Sequence, residues 1–255
     1  TRSLYGADSA TAAPFVTMDL SYAVDIGAGT FPTMVFPLGP RRPVTVSKFA
    51  ARPVRSGRVV LNAPSSGKAA APSKVVEKDL SGALAATDFT RGLLRRETVW
   101  KWLSLSAMAR PPMAASAKAA PAPAPYGLHL STGTYDFGPG GASSESSIFF
   151  RDAAGEPAFD FFDAANVTFT QLDTAKPKTE SRWHVAGPGG LDLTFTPHGG
   201  TFHGDIHLGV IDCDLWHMWG TFRGRAPARG PAGSTDAVVE LDGAPGVLED
   251  HYSLW

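Results

Sequence analysis

The chain has 255 residues, 43% of them hydrophobic, with 23 basic and 24 acidic residues for a net charge of −1. That composition is globular, and it argues against nucleic acid as a partner, since a protein that neutralises several phosphates carries a basic excess or stripe. Cys213 is the single cysteine, so no internal disulfide can form, and no apolar run reaches the length of about 18 residues that a membrane-spanning helix requires.

The first residue is threonine, and no charged-then-apolar signal follows it. The expectation is a processed or truncated chain in an intracellular or organellar compartment. Glycine (27) and proline (21) make up nearly a fifth of the chain. Between these punctuators, short runs alternate apolar and polar residues as half-buried strands do. The first is 15–26, "FVTMDLSYAVDI". The segment 79–102 comes nearest to a helical period, but Gly82 and Gly92 interrupt it. Further strands are expected at 146–152, 166–173, 191–197 and 237–243. The pattern predicts an all-β protein: an antiparallel barrel or a pair of packed curved sheets.

Two low-complexity stretches, "APSSGKAAAPSK" (63–74) and "SAMARPPMAASAKAAPAPAP" (106–125), read as extended insertions that bury little. The second divides the chain into a β-rich half over 1–105, a linker or insertion over 106–125, and a second β-rich half over 126–255. The two halves can also form one compact unit.

Residues 202–224, "FHGDIHLGVIDCDLWHMWGTFRG", hold His203, His207, Cys213 and His217 among Asp205, Asp212 and Asp214. Residues two apart on a strand share a face, so His203, Asp205 and His207 would line one side. At about 3.3 Å per residue the two histidines lie roughly 13 Å apart, too far to share one zinc ion. Gly204 and Gly209 argue against a helix that would bring them closer. The stretch therefore predicts two strands and no metal site. The glycine clusters at 27–30, 138–141 and 187–190 lack the strand-before, helix-after context of a phosphate loop and read as turns. No cofactor is implied.

Three stretches carry a resemblance. They are "DFTRGLLRRETVWKWLS" (88–104), "GLHLSTG" with the later "SSESSIFFRD" (127–152), and the closing "LDLTFTPHGG", "DLWHMWGTFRGRA" and "AVVELDGAPGVLEDHYSLW". Together they resemble the family catalogued as domain of unknown function 2804, from about residue 15 to Trp255. That family is similar to the carotenoid hydratase (hydroxyneurosporene synthase) and calycin-like superfamily. The resemblance implies lipocalin-like antiparallel barrels or curved sheets around an apolar cavity, without implying a reaction. This chain departs from the family pattern at His129 and Ser146, where asparagine is expected, at His217, where glutamine is expected, and in its short N-terminal lead.

The candidate residues each admit two readings. Glu249 and His251, in "LEDHYSLW", share a strand face and can form an acid–base pair, or else cap a barrel rim that Trp255 plugs. Glu145, ahead of an apolar strand, is a proton donor when buried and a loop carboxylate or structural hydrogen bond otherwise. Asp88 and Arg91 can clamp a polar ligand head or form a salt-bridged turn. Trp100, Trp102, Trp216 and Trp219, with His129 and His217 as polar neighbours, can line a ligand pocket or belong to the core. Two functions follow. The first is a lipocalin-like protein that binds or acts on an apolar small molecule such as a terpenoid, polyketide or lipid. The alternative is a non-catalytic accessory or structural subunit held by other protein chains.

Overall fold

In a computed structural model, the described residues are 16–22, 33–37, 43–63, 74–92, 95–112, 121–133, 145–152, 155–162, 164, 166–229 and 237–254. Residues 64–73 and 113–120 of the low-complexity segments, the glycine clusters at 27–30 and 138–141, and Trp255 lie outside them, while the flanks of the second segment run into strands that end at Ala109 and begin at Ala124. Among the described residues there is no helix, and so none long and apolar enough to cross a membrane.

The described residues form fourteen strands in chain order: β1 (Val16–Tyr22), β2 (Thr33–Pro37), β3 (Pro43–Ala63), β4 (Lys74–Asp79), β5 (Leu84–Gly92), β6 (Glu97–Ala109) and β7 (Ala124–Gly133), then β8 (Ser147–Arg151), β9 (Pro157–Phe161), β10 (Thr168–Gln171), β11 (Trp183–Ala186), β12 (Asp192–Leu208), β13 (Ile211–Ala228) and β14 (Ala237–Leu254). The segment with the most helical pattern thus becomes β5 and β6. Its glycines and its β-branched and aromatic residues suit a pleated ribbon better than a helix.

The chain divides into two compact units, one of residues 1–24 with 52–85, the other of residues 25–51 with 86–255. In the first, the later part of β3 is flanked by β1, with Val16 opposite Leu61, and by β4, with Arg58 opposite Asp79. In the second, β2 pairs with the start of β3, Val35 opposite Thr45. β5 is a further partner of β3.

The second unit is dominated by a nine-stranded antiparallel sheet in the order β10-β11-β12-β13-β14-β6-β7-β8-β9. It is strongly curled into a half-barrel and has β10 and β9 at its two ends. Each long strand alternates two kinds of side chain. One face carries Leu103, Leu105, Leu128, Leu130, Met218 and Leu248, all 0–1% exposed, together with Phe222 and Phe195, whose rings lie 4.8 Å apart. Burying each such side chain contributes about 1.5–3 kcal/mol, which makes this face the stabilising core. The hairpin between β12 and β13 turns at Gly209, whose φ of +63° is a left-handed conformation that other L-residues adopt only at a cost. The segment 187–190 also turns, joining β11 to β12, with Gly189 and Gly190 at positive φ.

Candidate functional site

The opposite face of the same sheet carries most of the polar and aromatic residues singled out in the sequence. Strand register sets them in a row. Ser131 lies opposite Trp102, Trp102 opposite Glu249, Glu249 opposite His217, and His217 opposite Phe202. In the adjacent row, Trp100 lies opposite His251. Directly opposed Cβ atoms sit about 4.5–5.5 Å apart, so residues far apart in sequence meet side by side.

The first part of β3 packs over this face. A Cβ built on Gly127 would come within 2.5 Å of the Ala50 Cβ and 3.2 Å of the Ala51 Cβ, so glycine in β7 is what admits β3 this closely. Ala51 takes a left-handed backbone (φ 55°), and its N–H donates to Ser106 Oγ at 3.0 Å. The His129 imidazole, 1% exposed, approaches the Phe49 carbonyl with Nε2 at 3.2 Å. Burial, with the nearby Lys48 charge, pushes the His129 pKa down to about 3, so its ring is neutral.

This packing delivers Lys48, which is 2% exposed, to the centre of the site. Its Nζ lies 2.9 Å from Asp88 Oδ2 and 3.1 Å from Glu145 Oε2. Burial works to lower the lysine pKa, but the charges and hydrogen bonds of Glu145 and Asp88 outweigh it and hold the ammonium above its ordinary 10.5. The same Nζ sits 5.3 Å from the centre of the Trp102 ring, within cation–π range.

Beside the cluster lies a pocket of about 190 Å³, lined by Lys48, Asp88, Thr90, Trp100, Trp102, Ser131, Glu145 and Glu249. Trp102 is 8% exposed, and its indole Nε1–H has no hydrogen-bond partner among the described residues. A buried donor without an acceptor costs free energy, and a ligand oxygen would satisfy it.

Glu249 closes the pocket on the β14 side. His217 Nδ1–H donates to its Oε1 at 2.6 Å and Trp100 Nε1–H to its Oε2 at 2.9 Å. Burial works to raise the carboxyl pKa, yet these two hydrogen bonds and the charge of His217 hold it below the ordinary value. His251 stacks on Trp100 with ring centres 3.6 Å apart and planes 12° apart, and its Nε2 lies 2.9 Å from Ser253 Oγ. Burial depresses the His251 pKa, opposed in part by the charges of Glu249, Asp214 and Asp250.

Of the residues proposed from sequence, Trp100, Trp102, Glu145 and Glu249 line the pocket. His217 and His251 touch its walls, and His129 packs behind Trp102 at 5.8 Å between rings. Trp219 shares the face and meets His217 edge-on at 4.8 Å, but it is 42% exposed and outside the pocket. Trp216 points to the other face, where it stacks on His203 at 3.7 Å. Asp88 bonds Lys48; Arg91 lies three residues along the same strand and therefore on the opposite side.

Three lining residues had no place in the sequence reading: Lys48, Thr90 and Ser131. For Lys48 a signal existed. It continues the face of β3 that begins with Val46 (0% exposed) and ends with Ala50 (1%), and a charge on a fully apolar face is informative.

The histidine-rich hairpin pairs with carboxylates. His203 Nε2 lies 2.9 Å from Asp214 Oδ1, and His207 sits between Asp205 at 2.7 Å and Asp212 at 2.8 Å. Among the described residues no group of three or more His, Cys, Asp or Glu is placed to hold a metal ion.

Fold and site together define a class: an all-β protein with one curled antiparallel sheet, apolar on one face and bearing a buried charged pocket on the other. The chain belongs to the family described as Domain of unknown function (DUF2804), whose model matches residues 44–255. No curated protein and no solved structure matches it.

Proposed function

We propose that this protein binds a small amphipathic molecule, an apolar terpenoid, polyketide or lipid with an oxygen-bearing head, on the polar face of its sheet. The observation that carries the proposal is the pocket holding a buried ammonium, three carboxylates and a Trp102 N–H that has no partner among the described residues. At about 190 Å³ it is smaller than the ~300–1,000 Å³ usual for a drug-sized ligand, and so it fits a head group. The apolar remainder would lie along the same face, over Phe202 (45% exposed) at the end of the row and Trp219 (42% exposed) beside it.

In this reading Lys48 and Glu145 anchor the head, and Trp100 and Trp102 stack against it. Glu249, fixed by His217, is the group placed for proton transfer. His251 positions the Trp100 indole. Kinship with the carotenoid hydratase and calycin-like superfamily belongs to the same proposal. The accessory-subunit alternative draws on a different observation, the exposed apolar side chains at the tip of the β12–β13 hairpin.

The test is native mass spectrometry of the protein from its own source, paired with tryptophan quenching by farnesol, a fatty alcohol and a fatty acid. A discrete adduct, and saturable one-to-one quenching that Trp102→Phe abolishes, are expected. A ligand-free chain that none of the three probes saturates would overturn the proposal.

A further inference from the structure

Among the described residues, β12 continues past the end of β11 without a neighbour on that side. β11 pairs only with residues 192–195 of β12, whereas β12 runs on to Leu208 paired with β13 alone. Among the described residues, then, the stretch from Thr201 to Leu208 is an open sheet edge. Open edges present unpaired N–H and C=O groups and are ordinarily blunted by lysine, proline or a bulge. Here Pro197 and the register shift both fall before Thr201, and the sequence TFHGDIHL that follows contains neither lysine nor proline.

The two faces of this edge differ. One carries Phe202 (45% exposed), Ile206 (44%) and Leu208 (68%), continued at the turn by Val210 (69%). The other alternates His203, Asp205 and His207. Among the described residues, His203 uses Nε2 on Asp214 and Asp205 uses Oδ1 on His207, which leaves His203 Nδ1 and Asp205 Oδ2 available.

We propose that this edge pairs antiparallel with the same edge of a second copy of the chain, about a two-fold axis at Gly204. In that register His203 faces Asp205 of the second copy and Asp205 faces its His203. Phe202 faces Ile206, Ile206 faces Phe202, and the two Gly204 residues meet at the axis. Both faces are thereby matched, imidazole to carboxylate and apolar to apolar, and the first match is a charge pair when His203 carries both ring protons. A shift that placed Asp205 on the axis would set Asp205 against itself and His203 against His207. Charge thus selects the register. The alternation of sign also disfavours a partner carrying one sign of charge, and the three aspartates on the hairpin disfavour an anionic lipid surface.

The experiment is sedimentation equilibrium of the full chain over the micromolar range, with two exposed-site variants, Asp205→Lys and His203→Glu, checked for fold by circular dichroism. Wild type is expected to dimerise. Each variant alone removes the imidazole–carboxylate match at two symmetric positions, His203→Glu by setting glutamate against Asp205 and Asp205→Lys by setting lysine against His203, and should raise the dissociation constant by about tenfold or more. Mixed in equal amounts, the two variants should recover the dimer as a heterodimer, because the lysine introduced in one chain then faces the glutamate introduced in the other. A wild-type chain that stays monomeric throughout would overturn the proposal, and so would variants that dimerise as wild type does or a mixture that recovers nothing. A monomer that binds neutral phosphatidylcholine vesicles through Leu208 and Val210 would assign the apolar face to a lipid surface and equally end it.

Discussion

Replacing Lys48 with methionine tests whether the buried charge cluster is built as described. Methionine keeps an unbranched chain of similar length but removes the ammonium, and with it the Lys48 ion pair of Glu145, whose side chain is only 6% exposed. Breaking a buried ion pair by removing one partner costs about 3–5 kcal/mol, most of it from the stranded charge. Asp88, with 29% of its side chain exposed, can turn to water and adds little. Urea unfolding followed by tryptophan fluorescence should therefore show the midpoint falling by about 1–2 M for Lys48→Met. The double variant Lys48→Met, Glu145→Gln removes the buried carboxylate charge as well and should recover most of the loss, since a buried pair replaced by neutral groups is often near neutral in stability. A single change costing less than about 1 kcal/mol, or a double variant as unstable as the sum of its parts, would refute the reasoning. The lysine pKa is raised on folding, so its contribution is fully present below pH 10.5 and is lost as pH rises through the higher folded value.

Further outcomes follow from the same geometry. His129 has a folded pKa of about 3 against an ordinary 6.5, so between these values the unfolded chain binds the proton that the folded chain refuses. Stability should thus fall as pH drops below 6.5, by about 3 kcal/mol from this residue at pH 4.5, and His129→Gln should flatten that slope in pH-dependent urea titrations. Glu249 behaves in the opposite sense to Lys48, with a folded pKa below 4.5, so its contribution is present above pH 4.5 and is lost in more acid solution. Glu249→Gln should remove that acid limb and alter the emission of Trp100, whose N–H it accepts. Gly127→Ala should destabilise by about 1–3 kcal/mol, because its methyl meets the Ala50 Cβ at 2.5 Å; a neutral effect in thermal melts would mean that β3 does not lie this close.

How much of this was legible in the sequence depended on whether the cause was local. Period-two alternation gave the strand character of 146–152, 166–173 and 191–197, and Gly204 and Gly209 correctly argued against a helix in the histidine stretch. The site was less legible because register made it. Glu249 and His251 share a face as their spacing requires, yet Glu249 bonds His217 and Trp100 while His251 turns to Ser253. Those partners sit on other strands at positions that only the pairing of β14 with β13 and β6 determines. Glu145 follows a glycine- and serine-rich stretch that reads as exposed loop, and it is buried because a lysine from β3 reaches it. Asp88 and Arg91 suggested a local pair through their spacing, but on an extended strand that spacing points them apart.

The two faces of the large sheet divide the work of the molecule. On the core face, leucine, methionine and phenylalanine side chains meet across β6, β7, β13 and β14 with almost no exposed surface, and stability accumulates with apolar area. The opposite face buries Lys48, Glu145 and His129, groups whose desolvation opposes folding and which neutral residues of similar size would replace at little cost. A sheet held only by its second face would be poorly supported; one held by the first can carry those charges. Stability alone therefore gives no reason for a lysine at position 48, an indole N–H at Trp102 without a partner among the described residues, and a carboxylate clamped by His217 and Trp100. Their convergence on a single pocket is the strongest reason to look for function there, and to expect that substitutions on the core face change how much folded protein exists while those on the pocket face test the proposed ligand binding.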